Sequence, residues 1–296
     1  GPDYRRPETP TPDTFVGTDG AQFSNADVER EFWKAFDDPQ LHQLIEEALS
    51  ANHDVRIATA RLREARALRG EARLDLAPTV TQQAGHVDSR ASERQAPFSA
   101  ADRDQDYYET SFDAFWELDF FGRARRGVEA ATAEVQAAEA TLYDTQVSVT
   151  AEVARNYFEL RGAQTRLEVA RRNAENQRES LQLTITRLEA GRGTQLDVSR
   201  AQAQLSATLG SIPDLEAEVN QVMLRLAVLV GREPQALTAQ LSEPKGLPAL
   251  PRTHSIGTPE ALLRRRPDVV AAERQLAAST ARIGISVADL FPRISF

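Results

Sequence analysis

The chain has 296 residues, a formal charge of −9 and no cysteine. Its hydrophobic fraction of 41% is sufficient for a sizeable core, which excludes global disorder. The missing cysteine excludes a disulfide scaffold, a thiolate metal site and a cysteine nucleophile. The acidic balance argues against a nucleic-acid partner. No uncharged run approaches the roughly 20 apolar residues of a membrane-spanning helix, although short alternating strands would still permit membrane residence.

The first part of the chain predicts an extended arm followed by a helical block. Residues 1–28 are rich in Pro, Thr and Asp and predict an extended N-terminal arm. Within 29–77, the first helical block, apolar residues recur at helical spacing. Pro39 predicts a separation into two short helices, and a further helix is expected over Asp54–Leu76, before Pro78.

Residues 78–122 predict a pair of strands joined by a polar loop over 88–106. The first strand, over Pro78–Asp88, has a weak pattern, whereas Tyr107–Phe121 alternates between apolar and polar side chains. Such a stretch is long enough to cross a bilayer, for which about 9–11 residues suffice. Five apolar side chains of the second strand are predicted to face lipid: Tyr108, Phe112, Trp116, Leu118 and Phe120.

Alternation alone fits a strand in a soluble sandwich equally well. The long polar loop before Tyr107–Phe121 and the long helical pattern after it favour the membrane strand.

Residues 123–231 predict a long helical hairpin. Arg123–Ala190 contains no proline and carries small or apolar residues at steps of three and four, which predicts a helix about 100 Å long. Gly191–Thr194 predicts a turn, and Thr194 is a suitable cap for a second helix. That helix repeats the stripe at heptad spacing from Ala201 to Leu229, so the two helices should be antiparallel neighbours.

Pro213 lies inside the second helix and is expected to kink it without a loss of register. Residues 232–257 then carry four prolines and predict an extended linker.

The remaining residues, 258–296, predict the start of a second repeat. Asp54–Val80 aligns without a gap with Asp268–Ile294, and nine of the 27 pairs are identical. Two alanine-rich amphipathic helices could match by composition, but the matched Asp, Gly and Pro residues favour duplication. The second copy stops where its strand would begin, so a longer protein is expected.

Five blocks in order carry a resemblance to a known family. They are the opening GPDYRRP and residues 32–62, 115–126, 190–202 and 262–296. Together they resemble the outer-membrane efflux protein family of TolC-like channel-tunnels, in the NodT-type lipoprotein branch that works with RND pumps. The resemblance ends within the second repeat.

The resemblance implies a mixed, mostly α fold. Long antiparallel periplasmic helices would form an α-barrel tunnel, and transmembrane β-strands would contribute to one β-barrel shared by a homotrimer in the outer membrane. The subunit would serve as a passive exit duct for substrates delivered by an inner-membrane RND-type pump through a periplasmic adaptor. The family also implies contact with outer-membrane lipid and anchoring through a cysteine upstream of this chain.

The same resemblance implies roles at the hairpin turn. Asp197 would belong to the periplasmic gate, although residue physics alone makes it a first-turn acid favoured by the helix dipole. The tip would dock the adaptor through six residues: Gly191, Arg192, Gly193, Thr194, Gln195 and Leu196.

Signals of catalysis, a cofactor or a metal are not visible in the sequence. The four histidines are scattered, and no phosphate-binding loop or nucleophile elbow occurs. Arg264–Arg266 could suggest an anion site, but such a run is more often a solvated helix face. The sequence therefore predicts a non-enzyme without cofactors. The alternative to a channel subunit is a non-transport periplasmic coiled-coil adaptor or scaffold.

Overall fold

The computed structural model describes residues 1–8, 10–17, 23–24, 26, 31–92, 104–250 and 254–296. The chain divides into two compact units. One contains residues 1–9, 61–140 and 268–296, and the other contains residues 10–60 and 141–267. Parts of the predicted arm, loop and linker lie outside the described residues.

The described helices are a short 3₁₀-helix at Phe32–Phe36 and α-helices that follow in chain order: α1 (Pro39–Ala51), α2 (His53–Leu74), α3 (Arg123–Glu189), α4 (Gln195–Leu229), α5 (Thr238–Leu241), α6 (Pro259–Arg265) and α7 (Pro267–Ala288). The described strands are β1 (Phe23–Ser24), β2 (Thr79–Arg90), β3 (Asp104–Phe115), β4 (Glu117–Leu118), β5 (His254–Ser255) and β6 (Ile294–Ser295). None of these helices combines the length and apolar character needed to traverse a membrane within the described residues.

The predicted break at Pro39 is confirmed. Pro39 occupies the first turn of α1, where its missing N–H costs nothing. The Asp38 carboxylate accepts hydrogen bonds from the N–H groups of Gln40 and Leu41 at 2.9 and 3.2 Å. The Asp38 cap and the Pro39 ring thus start α1 after the 3₁₀-helix has ended at Phe36.

Strands β2 and β3 form an antiparallel ladder from Thr79↔Phe115 to Arg90↔Asp104. The prediction of one continuous strand through Phe121 is wrong, because the ladder with β2 ends at Phe115 and only Glu117–Leu118 continues as a strand. Trp116 instead exchanges backbone hydrogen bonds with Phe296, at 3.1 and 2.8 Å, and β4 then pairs with β6.

Both strands extend into the segment predicted to be a loop, which is therefore shorter than 88–106. Residues 93–103 of that predicted loop lie outside the described residues.

The helical hairpin is confirmed closely. Helix α3 runs for 67 residues and ends at Glu189, and α4 runs for 35 residues with Pro213 inside it. Every member of the predicted heptad stripe of α4, from Ala201 to Leu229, is buried or half-buried. The period of the apolar pattern therefore identifies the packed face of the helix.

The larger unit has an apolar core between α1, the middle of α3 and the C-terminal half of α4. Its fully buried side chains include Leu44, Tyr157 and Leu226. The segment predicted to be an extended linker contributes to this core, since Leu237 and Leu241 around α5 are also fully buried. The linker prediction missed this short helix because its prolines dominate the local pattern.

In the smaller unit, α7 packs on α3 through small side chains. Ala277 and Ala278 are buried against Ala133. The bounds of α7 follow those of α2 at an offset of 214 residues, and both helices have 22 residues. The same offset brings β6 onto positions within β2, so the structural elements have the periodicity of the sequence match.

Candidate functional site

The hairpin tip begins with a glycine-dependent end of α3. The N–H of Arg192 donates to the Arg187 carbonyl at 2.8 Å, and the N–H of Gly191 donates to the Leu188 carbonyl at 2.9 Å. These two bonds form a Schellman motif, which requires a left-handed residue. Gly191 supplies it with a φ of 66°.

Thr194 and Asp197 start α4 with a reciprocal capping box. The Asp197 Oδ2 atom accepts hydrogen bonds from the Thr194 N–H at 3.1 Å and from the Thr194 hydroxyl at 2.6 Å. These hydrogen bonds lower the pKa of the exposed Asp197 carboxyl below its usual range. The carboxylate is therefore ionised at neutral pH and adds a negative charge to the tip.

The six predicted tip residues lie together in this turn. All of them are exposed except the half-buried Gly193, and Leu196 presents an apolar side chain to solvent. A Cβ atom at Gly193 would lie 3.2 Å from the Leu188 nitrogen, so the turn is compact. The tip thus combines a compact turn with one exposed apolar side chain and with charged groups.

The strand pair has two chemically different faces. On one face, Tyr108, Phe112 and Ala114 lie beside His86, Gln82 and Val80 of β2. The His86 ring stacks on the Tyr108 ring with centroids 4.3 Å apart. Charged side chains follow at the loop end, where Arg90 Nε lies 3.3 Å from Asp104 Oδ1.

The middle of the opposite face is polar, since Glu109, Ser111 and Asp113 follow one another there. The Ser111 hydroxyl donates to the Asp113 carboxylate at 3.2 Å. Tyr108 and Phe112 are both exposed on their own face of the single chain. An exposed face of this kind, opposite a polar one, is typical of strands between lipid and water.

The remaining predicted lipid-facing residues lie outside this ladder. Trp116 and Phe120 are exposed beyond the end of β3, whereas Leu118 is half-buried in β4 and paired with Ile294. The alternation argument therefore applies to Tyr108 and Phe112 and does not extend to these three residues.

A short hydrogen-bonded connection joins the strands to α3. The Asp119 carboxylate accepts hydrogen bonds from the N–H groups of Ala124 and Arg125 at 3.1 and 3.0 Å and so caps the helix. The Arg123 guanidinium donates two hydrogen bonds to the Glu117 carboxylate at 2.7 and 2.8 Å. These contacts hold the end of the strand segment against the first turn of α3.

A buried polar cluster in the larger unit was not predicted from the sequence. Arg161 is fully buried and donates hydrogen bonds to Gln164 Oε1 at 2.7 Å, to the Glu243 carbonyl at 3.0 Å and to Gln40 Oε1 at 2.5 Å. Its spacing from Tyr157, one helical turn away within an apolar stripe, is the signal that could have revealed it.

Tyr157 connects this cluster to the start of α1. Its hydroxyl donates to Asp38 Oδ2 at 2.7 Å. Burial and the hydrogen bond to Asp38 raise the pKa of Tyr157 to about 12. Burial alone would raise the pKa of Asp38, but hydrogen bonds from Tyr157 and from the N–H groups of Leu41 and Gln40 outweigh it and lower that pKa.

Comparisons with known proteins identify the family of the chain. The family described as Outer membrane efflux protein matches residues 44–232, more than half of the chain. Nodulation protein T of Rhizobium leguminosarum bv. trifolii is 32% identical over 300 residues, which cover the whole chain and 62% of that relative. Pyoverdine export outer membrane protein OpmQ of Pseudomonas aeruginosa is 31% identical over 278 residues, which cover 92% of the chain and 58% of OpmQ.

The outer-membrane channel OprN is similar in structure. Its TM-score is 0.88 at 47% sequence identity, over all of this chain and 65% of the OprN chain. The chain spans about three fifths of the length of the curated relatives it matches.

The mostly helical fold, with strands that lead directly into a long hairpin, is the fold of outer-membrane channels. The chain belongs to the outer membrane efflux protein family, in its NodT-type branch. As a member of this family, it is an outer-membrane protein whose long helices lie in the periplasm.

Proposed function

We propose that this chain is the larger part of a subunit of an outer-membrane efflux channel, which provides a passive exit duct for substrates. The observation that carries the proposal is the direct connection of the two-faced strand pair to a 67-residue helix. At 1.5 Å per residue that helix is about 100 Å long, which suits a conduit across the periplasm better than a compact core.

The proposal assigns a partner to each surface. Lipid contacts the face of Tyr108 and Phe112, and water contacts the face of Ser111. Copies of the subunit form a homotrimer, as the family resemblance implies, and so pair the open sheet edges that lipid does not tolerate. The hairpin tip docks a periplasmic adaptor, which connects the channel to an inner-membrane RND-type pump, and a cysteine upstream of the chain anchors the subunit to lipid.

A periplasmic coiled-coil adaptor or scaffold is the alternative function. It would account for the hairpin of α3 and α4, but it gives no reason for exposed Tyr108 and Phe112 on one face of a strand pair. The proposed channel accounts for both features.

Electrical recording tests the proposal. The full-length protein, reconstituted into planar bilayers, is expected to produce discrete conductance steps. An established channel added to the same bilayers serves as the positive control. If that control conducts and the folded protein does not, the proposed channel function is contradicted.

The same recordings test the proposed gate. Asp197→Ala is expected to raise the open probability of the isolated channel, because a negative charge that holds the closed tip is lost. Asp214→Ala, which removes an exposed acid from the interior of α4, serves as the matched control. Equal open probability in both variants and the parent would refute a gating role for Asp197.

A further inference from the structure

Residues 1–6 form a strap that contacts both α3 and α7 within the smaller unit. A Cβ atom at Gly1 would overlap the backbone of Gly284, so the strap meets α7 closely at this point. The Arg126 guanidinium of α3 donates to the Gly1 carbonyl at 3.3 Å and to the Asp3 carboxylate at 2.5 Å. The first half of the strap is therefore held by both helices.

Tyr4 makes the central contact of the strap. Its half-buried ring packs on three alanines, which are Ala133 of α3 and Ala277 and Ala278 of α7. Its hydroxyl donates to Glu273 Oε1 at 3.0 Å. The Arg274 guanidinium lies over the ring, 5.3 Å from its centre. An aromatic body in an apolar site with its polar end hydrogen-bonded is the arrangement that a buried tyrosine requires.

Glu273 binds the far end of the strap. Its side chain is 11% exposed, and its Oε2 atom lies 2.9 Å from Arg6 Nη2. Burial alone would raise the pKa of Glu273, but hydrogen bonds from Arg274 and Tyr4 outweigh it and lower that pKa. The carboxylate is therefore ionised at neutral pH. A nearly buried charge is costly without partners, and the strap supplies two of them.

The length of the strap matches the distance between its contacts on α7. Glu273 and Gly284 are separated by 11 residues, which is about 16 Å along the helix. Their contacts on the strap, Arg6 and Gly1, are five residues apart, and five extended residues span about 17 Å. The strap is thus nearly extended and antiparallel to α7. A shift of one residue, about 3.3 Å, would remove Tyr4 from its partners.

The corresponding helix of the first repeat, α2, lacks the residues of this site. At the offset of 214 residues, the counterpart of Glu273 is Thr59. The counterparts of the two α7 alanines beneath the Tyr4 ring are Arg63 and Glu64. Threonine cannot form the ion pair with the strap, and the larger side chains would occupy the space of the ring. The site therefore distinguishes α7 from its first-repeat counterpart.

We infer that the groove between α3 and α7 is a specific binding site for the strap, which acts as a clamp that holds the start of the second repeat on the first. The site recognises an acidic, an aromatic and a basic side chain in order, at Asp3, Tyr4 and Arg6. Arg126 and Glu273 supply the complementary charges at its two ends. The clamp goes beyond the proposed channel, and its test does not depend on conductance.

Hydrogen exchange of the full-length protein, measured by mass spectrometry, tests the clamp. Tyr4→Ala removes the ring from the alanines and one partner from Glu273, so the amides of α7 should exchange at least about tenfold faster than in the parent. Arg5→Ala is the matched control, because Arg5 is the exposed neighbour of Tyr4 in the strap. It should change the exchange of α7 by less than about twofold.

A double variant tests whether the two groups act together. Glu273→Gln is measured alone and combined with Tyr4→Ala. Because the two residues are partners, the combined variant should accelerate exchange by less than the product of the two single effects. Unchanged exchange of α7 in Tyr4→Ala, equal acceleration by Arg5→Ala, or fully multiplicative effects would overturn the clamp.

Photo-cross-linking tests the site without removing the aromatic ring. A benzophenone-bearing amino acid replaces Tyr4 in the full-length protein, and Arg5 is replaced in the control. We expect position 4 to form adducts with α7, or with α3 around Ala133, in the same copy, and position 5 to form far fewer. Equal yields from the two positions, or adducts from position 4 only with other segments or other copies, would contradict the inferred site.

Discussion

Arg161 shows how a single charged residue organises the larger unit. Its guanidinium contacts α1 through Gln40 and the segment after α5 through the Glu243 carbonyl. A buried charge is costly unless its hydrogen bonds are satisfied, so these elements must adopt one arrangement around it. The cluster therefore specifies where the base of the hairpin packs.

Arg161→Met tests this role. The variant leaves Gln40, Gln164 and the Glu243 carbonyl without their buried donor, and we expect the free energy of unfolding to fall by about 3 kcal/mol. Denaturant unfolding followed by circular dichroism measures the change. Arg166 lies on the same helix as Arg161, and Arg166→Met removes an exposed ion pair with Glu218 of α4, so it should change stability by less than about 1 kcal/mol. Similar losses in both variants would disprove the importance of the buried cluster.

The lowered pKa of Asp38 predicts that the free energy of unfolding depends on pH. Its pKa is lowered in the folded chain, so the unfolded chain binds the proton first as the pH falls. The stabilisation is complete above the unfolded pKa of about 3.9 and is lost as the pH falls through the folded pKa. Asp38→Asn retains a capping oxygen but cannot titrate. Between about pH 5 and 3, the variant should therefore lose less stability than the parent. Parallel curves for the two proteins would contradict this assignment.

At the scale of elements, the cost of a charged substitution in the strand pair depends on which face the side chain occupies. Phe112→Arg introduces a charge on the face proposed to contact lipid and should cost about 2–4 kcal/mol near the bilayer midplane. Ser111→Arg, on the adjacent residue of the opposite face, should cost far less. Folding into lipid vesicles, measured for the full-length protein, distinguishes them. If both arginine variants fold into vesicles equally well, the assignment of a lipid face and a water face is wrong.

The end of α4 depends on a glycine. Gly231 has a φ of 73°, and a Cβ atom there would lie 2.5 Å from the Ala51 carbonyl oxygen. Gly231→Ala should therefore lower the free energy of unfolding by at least about 2 kcal/mol. Gly127 lies in the interior of α3 with open space around it, so Gly127→Ala should raise helix stability by about 0.5–1 kcal/mol. Changes of the same sign in the two variants would contradict this explanation.

At the scale of the whole molecule, the parts that follow from local periodicity were predictable. The helical stripe of 123–190 and the heptads after it predict α3 and α4 to within a residue or two, because the packed face repeats within each turn. Thr194 as a helix cap and Asp197 as a first-turn acid were also predictable from residue type and position, whereas their reciprocal capping box is a finding of the structure.

What could not be predicted depends on distant parts of the chain. Alternation continues past Phe115, but the ladder changes partner there because β6, far along the sequence, pairs with β4. The local spacing of Tyr157 and Arg161 does not show which distant elements they join, since two partners of Arg161 come from α1 and from the segment after α5. Roles that concern adaptors or gates involve other molecules and stay predictions.

The heptad stripe of α4 has a consequence for how proteins of this kind change length. Deleting or adding a few residues in α3 alone would shift every later apolar side chain off its partner. Only matched steps of seven residues, one in each helix of the hairpin, preserve the seam, and each such step moves the tip by about 10 Å. The length of the hairpin can therefore change only in steps of this size. Any partner that contacts Leu196 would have to match one of these lengths.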